Sequence, residues 1–156
     1  MADWISPNSH NDPDNKWSSE SNAYDDSTAS PAINAWGDNG HFLELYTPSP
    51  ILCSAIRILC KRFTPPSSYY SANVDIDWFY EGQWRDLFDG LLGSGTSWNV
   101  KSLASEQVVT GMRVRHNSGG SLLLLFEVDF YGEPVATRGL VGGGLAGNIL
   151  TGKGLV

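Results

Sequence analysis

The sequence predicts an all-β fold: an antiparallel jelly-roll β-sandwich with a looped N-terminal wrap and an extended glycine-rich C-terminal arm. Three observations predict it. Apolar and polar residues alternate with period two through several short runs. Clusters of Gly, Pro, Asn, Asp and Ser separate those runs. No stretch shows the 3.6-residue apolar spacing of an amphipathic helix. The 156 residues suit one domain, with six Trp, six Tyr and six Phe to fill its core.

Residues 1–40 show neither period and are rich in turn formers. Trp4, Trp17, Tyr24, Ile33 and Trp36 are spaced through them as anchors that a disordered segment lacks, so this region reads as an ordered wrap. Residues 41–47 then alternate, with Leu43 and Leu45 on one face. A second strand, 51–62, has Leu52, Ile56 and Ile58 at even spacing and Arg57 opposite. After a loop at 64–71, residues 73–80 place Val74, Ile76, Trp78 and Tyr80 inward and Asp75 and Asp77 outward. Glu81-Gly82 is a tight turn, and 83–87 is the return strand. A glycine-rich loop at 88–97 leads to a short strand at 98–103. Residues 108–116 alternate through Val109, Met112 and Val114, with Gly111 at a bulge. The last strand, 122–131, faces Phe126, Val128 and Phe130 one way and Glu127 and Asp129 the other. Cys53 and Cys60 are seven apart in one predicted strand. That odd offset puts them on opposite faces and about 23 Å apart, far beyond the roughly 7 Å of a bridged pair, so both are expected as free thiols.

The formal net charge is −7. Residues 1–40 carry seven acids (Asp3, Asp12, Asp14, Glu20, Asp25, Asp26 and Asp38) against one base, Lys16. This balance argues against a nucleic-acid partner, which needs a basic footprint. The apolar run at 122–126 is far short of the roughly 20 residues of a spanning helix, so no membrane partner is expected. The start lacks the basic and apolar regions of a signal peptide, so the expectation is synthesis in a host cytoplasm.

From Pro134 the composition changes. Residues 134–156 hold seven glycines, no aromatic residue and two charges, Arg138 and Lys153. Each glycine is costly to order, and side-chain bulk is too scarce for a separate core. Yet Leu140, Val141, Leu145, Ile149, Leu150, Leu155 and Val156 are too apolar for a solvated linker. This division gives a sandwich at 1–133 and a docking arm at 134–156, with Arg138, Lys153 and the seven apolar residues as its contacts on a neighbouring subunit.

Four stretches carry a family resemblance. Asn22-Ala23-Tyr24-Asp25-Asp26 forms an early turn. Ser54-Ala55-Ile56-Arg57-Ile58 forms a first strand. Residues 75–84, DIDWFYEGQW, form a hairpin. Gly111-Met112-Arg113-Val114-Arg115 and Phe126-Glu127-Val128-Asp129-Phe130-Tyr131-Gly132 form a closing pair. Together they resemble the discoidin family, the coagulation factor 5/8 type C domains, which implies a jelly-roll sandwich over about residues 1–133. The departures are the absence of cysteines near the domain ends, Asp26 where the family usually has glycine, and the arm. The stretch from Ser9 through Asp12-Pro13 to Trp17, with the Asn22–Asp25 turn, also looks like phage structural proteins.

The resemblance implies a calcium site of oxygen ligands on Asp25, Asp26, Ser30 and Glu127. The other reading of these residues is Asx capping at the turn and a partnered Glu127. Trp36, Tyr69, Tyr70 and Trp98 could form an aromatic platform for a sugar at loops, or simply pack. His10 with Asp12 and Asp14 lacks the further ligands of a metal loop, and His41 and His116 are isolated. No nucleophile elbow or Cys/His constellation is present, so no catalytic residue is assigned and the protein is not expected to be an enzyme. Gly142-Gly143-Gly144 lacks the strand and helix of a dinucleotide loop. These readings combine into a noncatalytic virion or particle component, of decoration, tail or fibre type. It assembles through its arm on copies of itself or on another virion protein. The alternative is a carbohydrate-binding module that meets a surface glycan with loop aromatics.

Overall fold

Two long, bent strands organise the molecule and are shared by both layers of the sandwich. The computed structural model describes residues 1–66, 68–93 and 97–135. The strands are β1 (Asp3–Ile5), β2 (Ser9–Asn11), β3 (Trp17–Ser18), β4 (Ala32–Asn34), β5 (Leu43–Thr64), β6 (Ser68–Tyr70), β7 (Asn73–Tyr80), β8 (Gln83–Leu91), β9 (Asn99–His116) and β10 (Leu122–Pro134). One 3₁₀ turn, Glu20–Ala23, lies between β3 and β4. All pairings are antiparallel, in the order β3-β4-β10-β5-β9-β7-β8. β1 is added to β10, and β2 and β6 to the two ends of β5. The arm residues Arg138, Leu140, Val141, Leu145, Ile149, Leu150, Lys153, Leu155 and Val156 lie outside the described residues.

The predicted strands at 41–47 and 51–62 are a single element, β5, and those at 98–103 and 108–116 are a single element, β9. The two pair along their lengths, with register shifts at Tyr46/Ile51 and Cys53/Ala55. A strand that turns a corner between layers does so at such irregularities. Leu43, Leu45, Val74, Ile76, Trp78, Met112 and Val114 meet Ile56, Ile58, Cys60, Leu123, Leu125, Val128 and Phe130 in one continuous core.

The bulges also correct the face assignments. Each extra residue moves a strand's alternation by one. Cys53 and Ile51 point into the core while Leu52 does not, and past the shift Ile56 and Ile58 point inward. The odd spacing of Cys53 and Cys60 therefore becomes an even one, and both free thiols sit in the same core rather than on opposite faces. Phe126 falls at the shift between Leu125 and Glu127. It leaves the face of Val128 and Phe130 and joins Leu59 and Leu124 in a small outer cluster. Gly111 sits at the β7–β9 register shift, as expected; a β-carbon there would stand 2.8 Å from the Leu45 carbonyl oxygen.

The N-terminal wrap is ordered by its aromatics. Trp17 is buried and its indole N–H donates to the His41 carbonyl at 3.1 Å. Glu81 and Gly82 both have positive φ, 51° and 72°, as a two-residue hairpin turn between β7 and β8 requires. Asp75 and Asp77 face away from the core but are not open to solvent. The Arg115 and Arg113 side chains lie over them, each with a nitrogen 2.7 Å from a carboxylate oxygen.

Candidate functional site

The register brings five strand ends together at one end of the sandwich. β5 finishes beside the start of β10 (Phe63 opposite Leu122), and β10 begins beside the end of β4 (Leu123 opposite Asn34). β9 finishes beside the start of β7 (His116 opposite Val74). Three segments gather there: 35–42, 68–72 and 117–121. The Gly40 N–H donates to the His116 carbonyl at 2.8 Å, and the Asn117 N–H to the Asn73 carbonyl at 2.9 Å.

Buried polar atoms without partners concentrate at this end. They are Asn34 Oδ1, Arg62 Nε, Asn73 Oδ1, Ser121 Oγ and both ring nitrogens of His116. Nearly all buried polar groups in folded proteins are paired, so such a cluster marks a place where a polar ligand or water completes the bonding. His116 is wholly buried, and burial first, then the nearby Arg62 charge, pulls its pKa down to about 4. The imidazole is therefore neutral near pH 7, with one nitrogen free to donate and the other to accept. Arg62 stacks over the Tyr70 ring at 4.9 Å, and Tyr70 is 46% exposed. Trp36, in the loop after β4, is 54% exposed at the same end.

The four aromatics expected as one platform divide between two surfaces. Trp36 and Tyr70 belong to the loop end. Tyr69, next to Tyr70 on β6, points to the other face of the sheet, where it tilts against Phe63 at 5.1 Å and carries Lys61 over its ring at 5.3 Å. Trp98 lies on the outer face of the β5 layer, where Arg57 stacks on Trp98 at 4.2 Å and on Trp4 at 4.5 Å. Alternation along β6 and the length of β5 are what separate them. Arg62, Asn73, His116 and Ser121 were not singled out as a group from the sequence. Their common location is visible only in the register, since they come from four separate strand ends.

A second constellation lies on the outer side of β10. Carboxylate oxygens of Asp26, Glu127 and Asp129 stand within 4.8 Å of one another. Ser6 Oγ joins two of them, 2.9 Å from Asp26 and 2.7 Å from Asp129, and Arg57 pairs with Asp129 at 2.7 Å. Neither oxygen of the buried Glu127 has a hydrogen-bond partner of regular geometry. Burial, and then the charges of Asp129, Asp26 and Asp25, push its pKa up to about 7, while the Ser27 amide offsets this only in part. Three carboxylates and a hydroxyl, with one carboxylate unpartnered, fit a hard cation such as calcium. The ligand set differs from the expected one. Asp129 joins the carboxylates; Asp25 is not among them and accepts the Ser27 N–H at 2.9 Å, and Ser30 is exposed. His10 pairs with the Tyr24 hydroxyl and His41 with Asp14, so neither enters a metal cluster among the described residues.

At the opposite end, an open groove of about 470 Å³ is lined by residues including Pro50, Tyr80 and Val108. The Val135 N–H donates to the Pro50 carbonyl there at 2.9 Å, which fixes the last described residue at that end.

No protein-family model and no curated protein matches this sequence. Solved structures do match in fold. The family 32 carbohydrate-binding module of AlyQ, solved with 4,5-unsaturated mannuronic acid, aligns with TM-score 0.62 at 11% identity, covering 82% of this chain and 97% of that one. The family 32 module of Clostridium perfringens NanJ, solved with galactose, aligns with TM-score 0.59 at 16% identity, covering 84% and 92%. An F5/8 type C domain from Bacteroides fragilis aligns with TM-score 0.55 at 15% identity, covering 85% and 98%. The expected discoidin-like architecture is therefore present: the chain has the jelly-roll fold shared by F5/8 type C domains and family 32 carbohydrate-binding modules.

Proposed function

We propose that the protein is a noncatalytic carbohydrate-binding module and that the loop end around Arg62, Tyr70 and His116 holds the sugar. The observation that carries this reading is the coincidence of two features. Unpartnered buried donors and acceptors meet exposed aromatic rings at a single end of the sandwich. A pyranose presents an apolar face for a ring and a rim of hydroxyls for polar groups, so both features suit it. The neighbours solved with galactose and with 4,5-unsaturated mannuronic acid support the reading, since both share this fold. Arg62→Ala and Tyr70→Ala, tested by calorimetric titration against saccharides that the wild type retains on a glycan array, should each lower affinity about tenfold or more. Unchanged affinity in both variants contradicts the assignment. In this reading, a calcium ion held by Asp26, Glu127 and Asp129 stabilises the body beside β1.

A second reading, a virion or particle component that assembles through residues 134–156, is supported by one observation. Val135, the last described residue, donates to the Pro50 carbonyl at the end opposite the loops, so residues 136–156 are attached away from the proposed sugar site. Deleting residues 136–156 and measuring mass by light scattering tests it. A particle or oligomer that falls to monomers supports the reading, and an unchanged mass contradicts it.

A further inference from the structure

Among the described residues, most cations are matched to acids. Lys16 pairs with Asp38, Arg57 with Asp129, Arg85 with Glu81, Arg113 with Asp77 and Arg115 with Asp75. Among the described residues, the remaining Lys and Arg are Lys61, Arg62 and Lys101. Lys101 is accounted for by its position 3.5 Å from the Phe88 ring centre. Lys61 and Arg62 are neighbours at the end of β5, where the loops gather. Lys61 lies over Tyr69 and Phe126, at 5.3 and 4.9 Å, and Arg62 over Tyr70.

A solvated surface lysine without an acid needs no explanation. These two are different. Both are half-buried over aromatic rings, and neither has a carboxylate partner among the described residues. A partly desolvated cation without a counter-charge holds an incoming anion more strongly than a fully solvated one. The adjacent rings are exposed, 60% for Tyr69 and 46% for Tyr70, so the approach is open. The two cations rise on opposite faces of the strand, Arg62 beside Tyr70 and Lys61 beside Tyr69 and Phe126 on the outer face, so Arg62 is the one that meets a ligand at the loop end. Net charge −7 makes the arrangement more selective, because the rest of the surface repels an anion that this end attracts.

We infer that the saccharide bound at the loop end is an acidic one, its carboxylate or sulfate group held by the Arg62 guanidinium while Tyr70 receives a ring face. This rests on the carbohydrate-binding reading above. The test titrates the full chain with three probes: oligogalacturonate, a sulfated galactan oligosaccharide and a neutral galactan oligosaccharide, each at 20 and 300 mM NaCl. At low salt, at least one acidic probe should bind about tenfold or more tighter than the neutral one and should weaken several-fold at high salt. The tighter acidic probe identifies which anion the site takes. Arg62→Gln, whose fold is checked by its melting temperature, should weaken the acidic probe several-fold more than the neutral one, and Lys61→Gln, on the outer face, should leave the preference for the acidic probe unchanged. Equal, salt-insensitive binding of neutral and acidic probes overturns the acidic specificity and leaves carbohydrate binding standing. No binding of any of the three probes, together with no hit on a glycan array, overturns both.

Discussion

Glu127 is a buried carboxyl among acids, and replacing it should stabilise the protein in a pH-dependent way. Its pKa stands at about 7 against an ordinary 4.5. The unfolded chain thus gives up this proton at lower pH than the folded one. The sign follows: the group's contribution is most favourable below pH 4.5 and is lost as pH rises through 7. The gap corresponds to about 3 kcal/mol by pH 8. Glu127→Gln keeps the shape and removes the charge. In urea denaturation with a chelator present, the variant should gain about 2–3 kcal/mol more over wild type at pH 8 than at pH 5. Calcium should close most of the gap at pH 8, because an ion that binds only the folded wild type adds about 2.7 kcal/mol at a hundred times its dissociation constant. A stability difference that is the same at both pH values, and that calcium leaves untouched, refutes the reasoning.

Other predictions follow from single residues. His116, held down to about 4, stays neutral in the fold while the unfolded chain protonates near 6.5. The stability it contributes is present above pH 6.5 and is lost as pH falls toward 4, and its imidazole resonances should not titrate between pH 5 and 8 by NMR. The thiols of Cys53 and Cys60 are pushed up by burial to about 11 and about 12, so a thiol reagent at pH 8 should label them only after denaturant is added. Gly132→Ala places a β-carbon against the Leu52 carbonyl oxygen and 3.0 Å from Cys53 Cα, both backbone, opposite the bulge of β5 at Ser54. It should cost about 1–3 kcal/mol, read as a lowered melting temperature.

Much of the architecture was legible because period-two patterning survives wherever strands pair regularly. The hairpin of β7 and β8 shows this: Val74, Ile76 and Trp78 face inward, and Glu81-Gly82 turns, all as the alternation dictates. Legibility failed at the bulges. One inserted residue near Ser54 and another at Phe126 shift each strand's phase, and no local residue type announces them. The same limit applies to the sites. Trp36 and Tyr70 were recognisable as loop aromatics, but the expected partners Tyr69 and Trp98 belong to another face. Asp129 shares the outer face of β10 with Glu127 by simple alternation, but its closeness to Asp26 is visible only once Ser6 and the Asp26 turn are packed against β10. His116 and Ser121 become neighbours of Arg62 only once strands far apart in sequence are set in register.

The central claim is that one end of the sandwich takes a sugar. The most direct test is a two-dimensional amide NMR titration of the full chain with a saccharide that the wild type retains. The account predicts shifts confined to residues near 35–41, 61–73 and 116–121, saturating together. Shifts centred instead on the groove beside Pro50 and Val108, or on the outer face around Trp4 and Trp98, contradict it.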